Sequence, residues 1–155
     1  MLQGTSSNSA IGWVREDLDA CLDQIRDHLE AFAEDTSRLE PLQAVQDLLE
    51  RLNLTFQTME QEGASILTNE MMAVGGHMLH NGKTDCTESQ NALTDAVVVL
   101  PSYLDRLQAG HEDLPILLLP TLNELRATHD ETLLSEGSLF APKLDVIIPE
   151  LSGSE

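Results

Sequence analysis

The apolar positions of this chain follow helical spacing almost throughout. Ile11, Val14, Leu18, Cys21, Ile25 and Phe32 recur three and four apart, as one buried helical face requires, and predict a first helix over residues 11–32. Asp35, Thr36 and Ser37 break it. Ser37 with Glu40 three residues later reads as a capping box, and Pro41 falls in the first turn, where a missing N–H is harmless, so a second helix starts there. Its seam of Leu42, Val45, Leu49, Leu52, Phe56 and Met59 is the most regular in the chain, which makes this helix the expected centre of the fold.

Gly63 is expected to end or bend the second helix. Ile66, Leu67, Met71, Val74 and Met78 mark a third, closing at Asn81-Gly82 and weakened by Gly75 and Gly76, each costing about 1 kcal/mol relative to Ala. Asp85 and Glu88 offer a cap for a fourth helix ending near Gln108, with Leu93, Ala96, Val97, Leu100, Leu104 and Leu107 on one face and a kink at Pro101. Gly110 stops it, Asp113 can cap the next segment beside Pro115, and LPILLLPTLNELRA predicts a fifth helix with a second kink at Pro120. The fourth and fifth helices read as an antiparallel hairpin. The run AVVVL alone suits a strand, but its flanks keep the helical period.

The expected fold is therefore all-α: an antiparallel bundle over residues 11–127 with a four-helix core and an additional helix. Residues 1–10 are expected to be a disordered N-terminus, and residues 128–155 an extended acidic C-terminal arm. In that arm Pro142 and Pro149 interrupt the short apolar pieces Leu133-Leu134, Leu139-Phe140 and Val146-Ile147-Ile148.

Charge narrows the partners. The 155 residues carry 27 acidic and 8 basic side chains, a formal net charge of -19, which repels phosphate backbones and anionic headgroups; nucleic acid is not an expected partner. Basic surfaces of other proteins are, although such a balance more often serves solubility alone. Cys21 and Cys86 stand far apart without ligand spacing, which fits a reducing compartment. The polar start MLQGTSSNSA and the short apolar runs AVVVL and ILLL suggest no leader and no membrane insertion, so a cytoplasmic location is expected.

The chain contains no GxSxG, HExxH, P-loop or GxGxxG pattern, and its carboxylates are too numerous to single out a catalytic pair, so no enzyme, cofactor or metal is expected. His77 and His80 lie three apart and, with Glu70, could in principle hold a metal; two turns separate Glu70 from His77, and solvated histidines near a helix end are the ordinary outcome. His28 reads as a border residue of the first helix, and His111 and His129 as loop or terminal residues.

The stretch ERLNLTFQTMEQEGASILTNEM, with Gln57, Glu60, Gly63-Ala64, Leu67 and Glu70-Met71, resembles the region around the phosphoacceptor of histidine-phosphotransfer (Hpt) domains in large chemosensory kinases. Together with GWVREDLD, LPSYLDRLQAG, DLPILLLPTLNELRA and LLSEGSLFAP, it is similar to the N-terminal domain of the FimL / ChpA (PilL) family of type IV pilus signalling proteins, over nearly the whole chain. The departure from active Hpt domains favours the FimL side. Where their His-x-x-Lys/Gln-Gly motif aligns, this chain has Glu50, Arg51, Leu52, Asn53 and Leu54: the histidine is absent, and Leu54 replaces the glycine. A carboxylate cannot form a phosphoimidazole.

The resemblance implies a non-catalytic scaffold at the cell pole that binds a FimV-like hub protein and a PilG-like response regulator, promoting adenylate cyclase activity and twitching motility. The expected contact surface is Glu50, Arg51, Asn53 and Gln57; the plain alternative is that Glu50 is an ordinary solvated residue. Two other readings stay open: an active phosphotransfer domain using His77 or His80, and a dimerisation module whose partner is a second copy.

Overall fold

The computed structural model describes residues 2–80, 86–129 and 133–135, with the side chains of residues 2–10 left aside. Five α-helices follow in order: α1 (Leu2–Glu34), α2 (Glu40–Thr58), α3 (Glu62–His80), α4 (Thr87–Gln108) and α5 (Leu119–Ala127), the last preceded by a 3-10 turn at Pro115–Leu118. No strand occurs among the described residues, and AVVVL lies inside α4. The predicted ends at Asn81-Gly82, the Asp85 cap and most of the C-terminal arm lie outside the described residues.

The first four helices close a ring. α1 packs on α2 and α4, and α3 packs on the same two from the other side, while the diagonal pairs scarcely touch. α5 and the 3-10 turn lie outside this ring, against α3, with α5 also on α4. The result is an all-α bundle with a four-helix core and one added helix.

The helical spacing read along the chain is the spacing of the core. Leu42, Val45, Leu49, Leu52 and Phe56 of α2 are all buried, facing Leu18, Leu22, Ile25, Leu29 and Phe32 of α1, Leu67, Met71, Val74 and Met78 of α3, and Leu93, Leu100, Leu104 and Leu107 of α4 in one cluster. Burying each such side chain contributes about 2 kcal/mol. The α2–α3 contact is the most extensive. It admits close approach at Gly75, where a Cβ would fall within the space of the Gln46 carboxamide, whose Nε2 donates to the Met72 carbonyl at 3.0 Å. A glycine costly to the isolated helix is thus explained by its neighbour.

Several helix ends differ from expectation. Ser37 does not cap α2: it donates to the Asp35 carboxylate at 2.5 Å, and Leu39 occupies the N-cap with no side-chain bond, leaving Pro41 to start the helix. α2 is stopped before Gly63, by Glu60 at φ 58°. The Glu60 N–H donates to the Gln57 carbonyl at 3.1 Å and the Gln61 N–H to the Phe56 carbonyl at 2.8 Å, a Schellman closure with glutamate where glycine is usual. Gly63 falls inside α3. The end of α4 repeats the closure with the expected residue, Gly110 at φ 96°. α4 opens with Cys86 at its N-cap, where no side-chain capping bond is made to the helix. Pro120 does not kink a helix; it occupies the first turn of α5, where its ring is compatible with helix start.

Arg15 ties α1 to α4. Its guanidinium donates to Asp19 at 2.8 Å, to Asp105 at 2.8 Å and to Gln108 at 2.5 Å. Burial alone would lower its proton affinity; the two carboxylates outweigh this and raise it.

Candidate partner-binding site

α2 buries one face and turns the other to solvent, and this division decides which of the four expected contact residues can meet a partner. Glu50, Arg51 and Gln57 are exposed. Between them lies Leu54, 55% exposed, one helical turn from Glu50 and three residues from both Arg51 and Gln57. An apolar side chain ringed by two charges and an amide offers area whose covering removes apolar surface from water while the polar rim stays hydrated.

Asn53 differs from these three. It is only 5% exposed. Its Nδ2 donates to the Ser65 carbonyl at 2.9 Å and to the Thr68 hydroxyl at 2.8 Å, while its Oδ1 accepts from Gln57 Nε2 at 2.6 Å. Asn53 therefore fastens α2 to α3 and holds the Gln57 side chain along the helix. Arg51 also acts inward: burial raises the proton affinity of the Cys21 thiol, and the charge of Arg51 partly offsets this.

At the start of the same helix, α3, segments singled out by the sequence meet. Both oxygens of Asp113 accept from the Gly63 N–H at 3.2 Å, one of them also from the Glu62 N–H at 2.7 Å, and Tyr103 donates its hydroxyl to the same carboxylate. Asp113 was expected to cap the segment that follows it; it caps α3 instead, since the free N–H groups of that helix start point at it. Gly63 must lack a side chain here, because a Cβ would stand 2.5 Å from the Tyr103 hydroxyl and 2.7 Å from Asp113 Oδ1. Spacing along the chain could not reveal this cap.

Glu70 is engaged by α5: Arg126 reaches it at 2.5 Å, with both side chains largely buried. That contact removes Glu70 from the metal set considered with His77 and His80. Among the described residues no group of three histidine, cysteine or acidic side chains stands close enough to hold a metal. His77 is half-buried with its ring 5.6 Å from that of His129, and His80 is exposed at the last position of α3. Nor is any helix among the described residues long and apolar enough to cross a membrane.

No protein-family model matches the chain, and no solved structure matches it. A curated relative does: Scaffold protein FimL of Pseudomonas aeruginosa, 29% identical over 149 residues, which span 96% of this chain and 26% of the relative. The chain thus covers about a quarter of the relative's length. Over nearly all of its own length the chain is similar to one domain-sized part of this larger scaffold protein.

Proposed function

We propose that the chain is a non-catalytic signalling domain, a degenerate histidine-phosphotransfer bundle that binds partner proteins through the exposed face of α2. The observation that carries this reading is Glu50: it is exposed on a central helix of a four-helix ring, at the position where the resemblance implies a phosphoacceptor, and it is not a histidine. Leu54, exposed one turn further on, would contact a partner that a glycine would merely admit. The name of the relative, a scaffold protein, agrees with a role in binding rather than catalysis.

The partners implied are a FimV-like hub and a PilG-like receiver of the type IV pilus chemosensory system, at the cell pole, with twitching motility and cyclic AMP level as downstream readouts. The test is calorimetric titration of the chain with each isolated partner, with and without a small phosphodonor. Saturable binding that ignores the phosphodonor and weakens about tenfold in Glu50→Arg/Arg51→Glu is expected. Undiminished binding in that variant would remove the α2 face from the reading. Labelled phosphate on the chain, lost in His77→Gln/His80→Gln, would replace the scaffold with an active phosphotransfer domain.

A further inference from the structure

Trp13 is 86% exposed on α1, the most exposed large apolar side chain among the described residues. It heads a stripe of Asp17, Ala20, Gln24 and Asp27 at four- and three-residue spacing, all exposed and all on the side of α1 away from the buried Leu18, Leu22 and Ile25. The cations of α1 are spent elsewhere. Arg15 is turned to Asp19 and Asp105, and Arg26 pairs with Asp23 at 2.8 Å, so among the described residues no salt bridge reaches Asp17 or Asp27. Among the described residues this helix face is therefore left uncovered, with an indole at one end and carboxylates without an ion-pair partner along the next four turns, about 21 Å at 1.5 Å per residue.

We infer that this face of α1 is a second docking surface, separate from the α2 face, and that its occupant is a basic helical segment of a partner protein carrying arginine at three- and four-residue spacing. The choice of occupant follows from charge and shape. An indole lying open in an acidic field attracts a guanidinium, which stacks on its face while keeping its own hydrogen bonds at the rim. Arginines one and four turns further along the same partner helix would meet Asp17 and Asp27. An apolar helix would find only Trp13 and Ala20 to bury and would desolvate carboxylates without pairing them. A second copy of this chain would bring its own net charge of -19 to the same face. Two faces on different helices would also let one bundle hold two proteins together, which goes beyond binding through α2.

The chain contains one tryptophan, so its fluorescence reports this face directly. The probe is a 16-residue alanine-based helical peptide with arginine at every third or fourth position, titrated into the full chain. The expected result is a saturable change in Trp13 emission. By calorimetry, Trp13→Ala and Asp17→Asn/Asp27→Asn should each weaken binding about fivefold, while Glu62→Gln/Glu112→Gln, exposed and on neither proposed face, leaves it unchanged. All these positions are exposed, and an unchanged helical circular dichroism spectrum checks that each variant folds. Equal weakening by the α1 variants and by Glu62→Gln/Glu112→Gln would reduce the effect to diffuse charge attraction and overturn the proposal. So would the absence of saturation, or binding indifferent to Trp13→Ala. None of these outcomes bears on the α2 face, whose own test uses different variants and probes.

Discussion

Asp113 accepts hydrogen bonds from the Gly63 N–H at 3.2 Å across fifty residues of sequence, so that the loop after α4 caps the start of α3. With Tyr103 donating to the same carboxylate, three elements converge on a point where no side chain fits at position 63. Asp113→Ala should cost roughly 2 kcal/mol in chemical denaturation, the loss of a cap plus a charge-assisted bond. Gly63→Ala should cost about 1–3 kcal/mol by overpacking. Because both act on one contact, the double variant should lose clearly less than the sum. Strict additivity would mean that the cap and the close approach are independent.

The same contact makes stability sensitive to alkali. Burial, and then the Asp113 carboxylate, push the Tyr103 phenol well above its ordinary value of 10.0. A group raised on folding holds its proton in the native state while the unfolded chain releases it. Its contribution is therefore fully present below pH 10 and is lost as pH rises above that value. The chain has one tyrosine, so phenolate absorbance follows it without ambiguity. Native protein should show no phenolate at pH values where the unfolded chain is already ionised, and Tyr103→Phe should remove the tyrosine-linked part of the alkaline destabilisation. Ionisation of the native protein near pH 10 would contradict the assignment.

Glu60 at φ 58° closes α2 in a conformation that glycine adopts at no steric cost. Glu60→Gly should raise stability by about 0.5–1 kcal/mol, or roughly 2–3 °C in Tm for a chain of this size, even though it removes a side chain and adds freedom to the unfolded state. A fall in Tm would mean that the Glu60 side chain contributes more than the left-handed backbone costs.

What could be read from the chain was what depends on neighbours three and four residues away. The seam from Leu42 to Phe56 predicted the burial of α2 because helix periodicity and core geometry are the same statement. Asn53 stands four residues after Leu49 and three before Phe56, at the edge of the buried face; its amide is satisfied by Ser65 and Thr68 of α3, which spacing along α2 cannot disclose. The helix that Asp113 caps, and the ties made by Arg15 and Arg126, escape the sequence for the same reason. Each of these side chains finds its partner on another helix, and polar partners carry no periodic signal. Glu50, Arg51 and Gln57 were legible as exposed by elimination, from the regularity of the seam they interrupt.

The Glu70–Arg126 pair anchors α5 to the ring at 2.5 Å, with the two side chains 15% and 18% exposed. Removing one member leaves the other desolvated, so Glu70→Gln should cost roughly 2 kcal/mol. Exchanging the two as Glu70→Arg/Arg126→Glu should recover part of that loss, because the pairing survives in reversed sense. Hydrogen exchange gives the sharper readout: in Glu70→Gln the amides of α5 should exchange faster than those of α2, whose protection comes from the core. Uniform acceleration over the whole bundle would show that α5 unfolds only with the ring.

Glu124 on α5 faces Asp95 on α4, and its proton affinity is raised, first by partial burial and then by a hydrogen bond to Asp95 and its charge. A carboxyl raised on folding opposes folding once it is ionised, so the native state gains stability as pH falls from neutral through the raised value, until the unfolded chain binds the proton equally. Glu124→Gln should raise Tm at pH 7 by about 1 °C at low ionic strength, a small effect because both side chains are exposed and water screens them. Salt should shrink the gain, and it should vanish below the ordinary carboxylate range, where Glu124 is already protonated. A gain that persisted in strong salt and at acid pH would have to come from packing of the amide, and the repulsion between Asp95 and Glu124 would then be too weak to matter to the seating of α5 on α4.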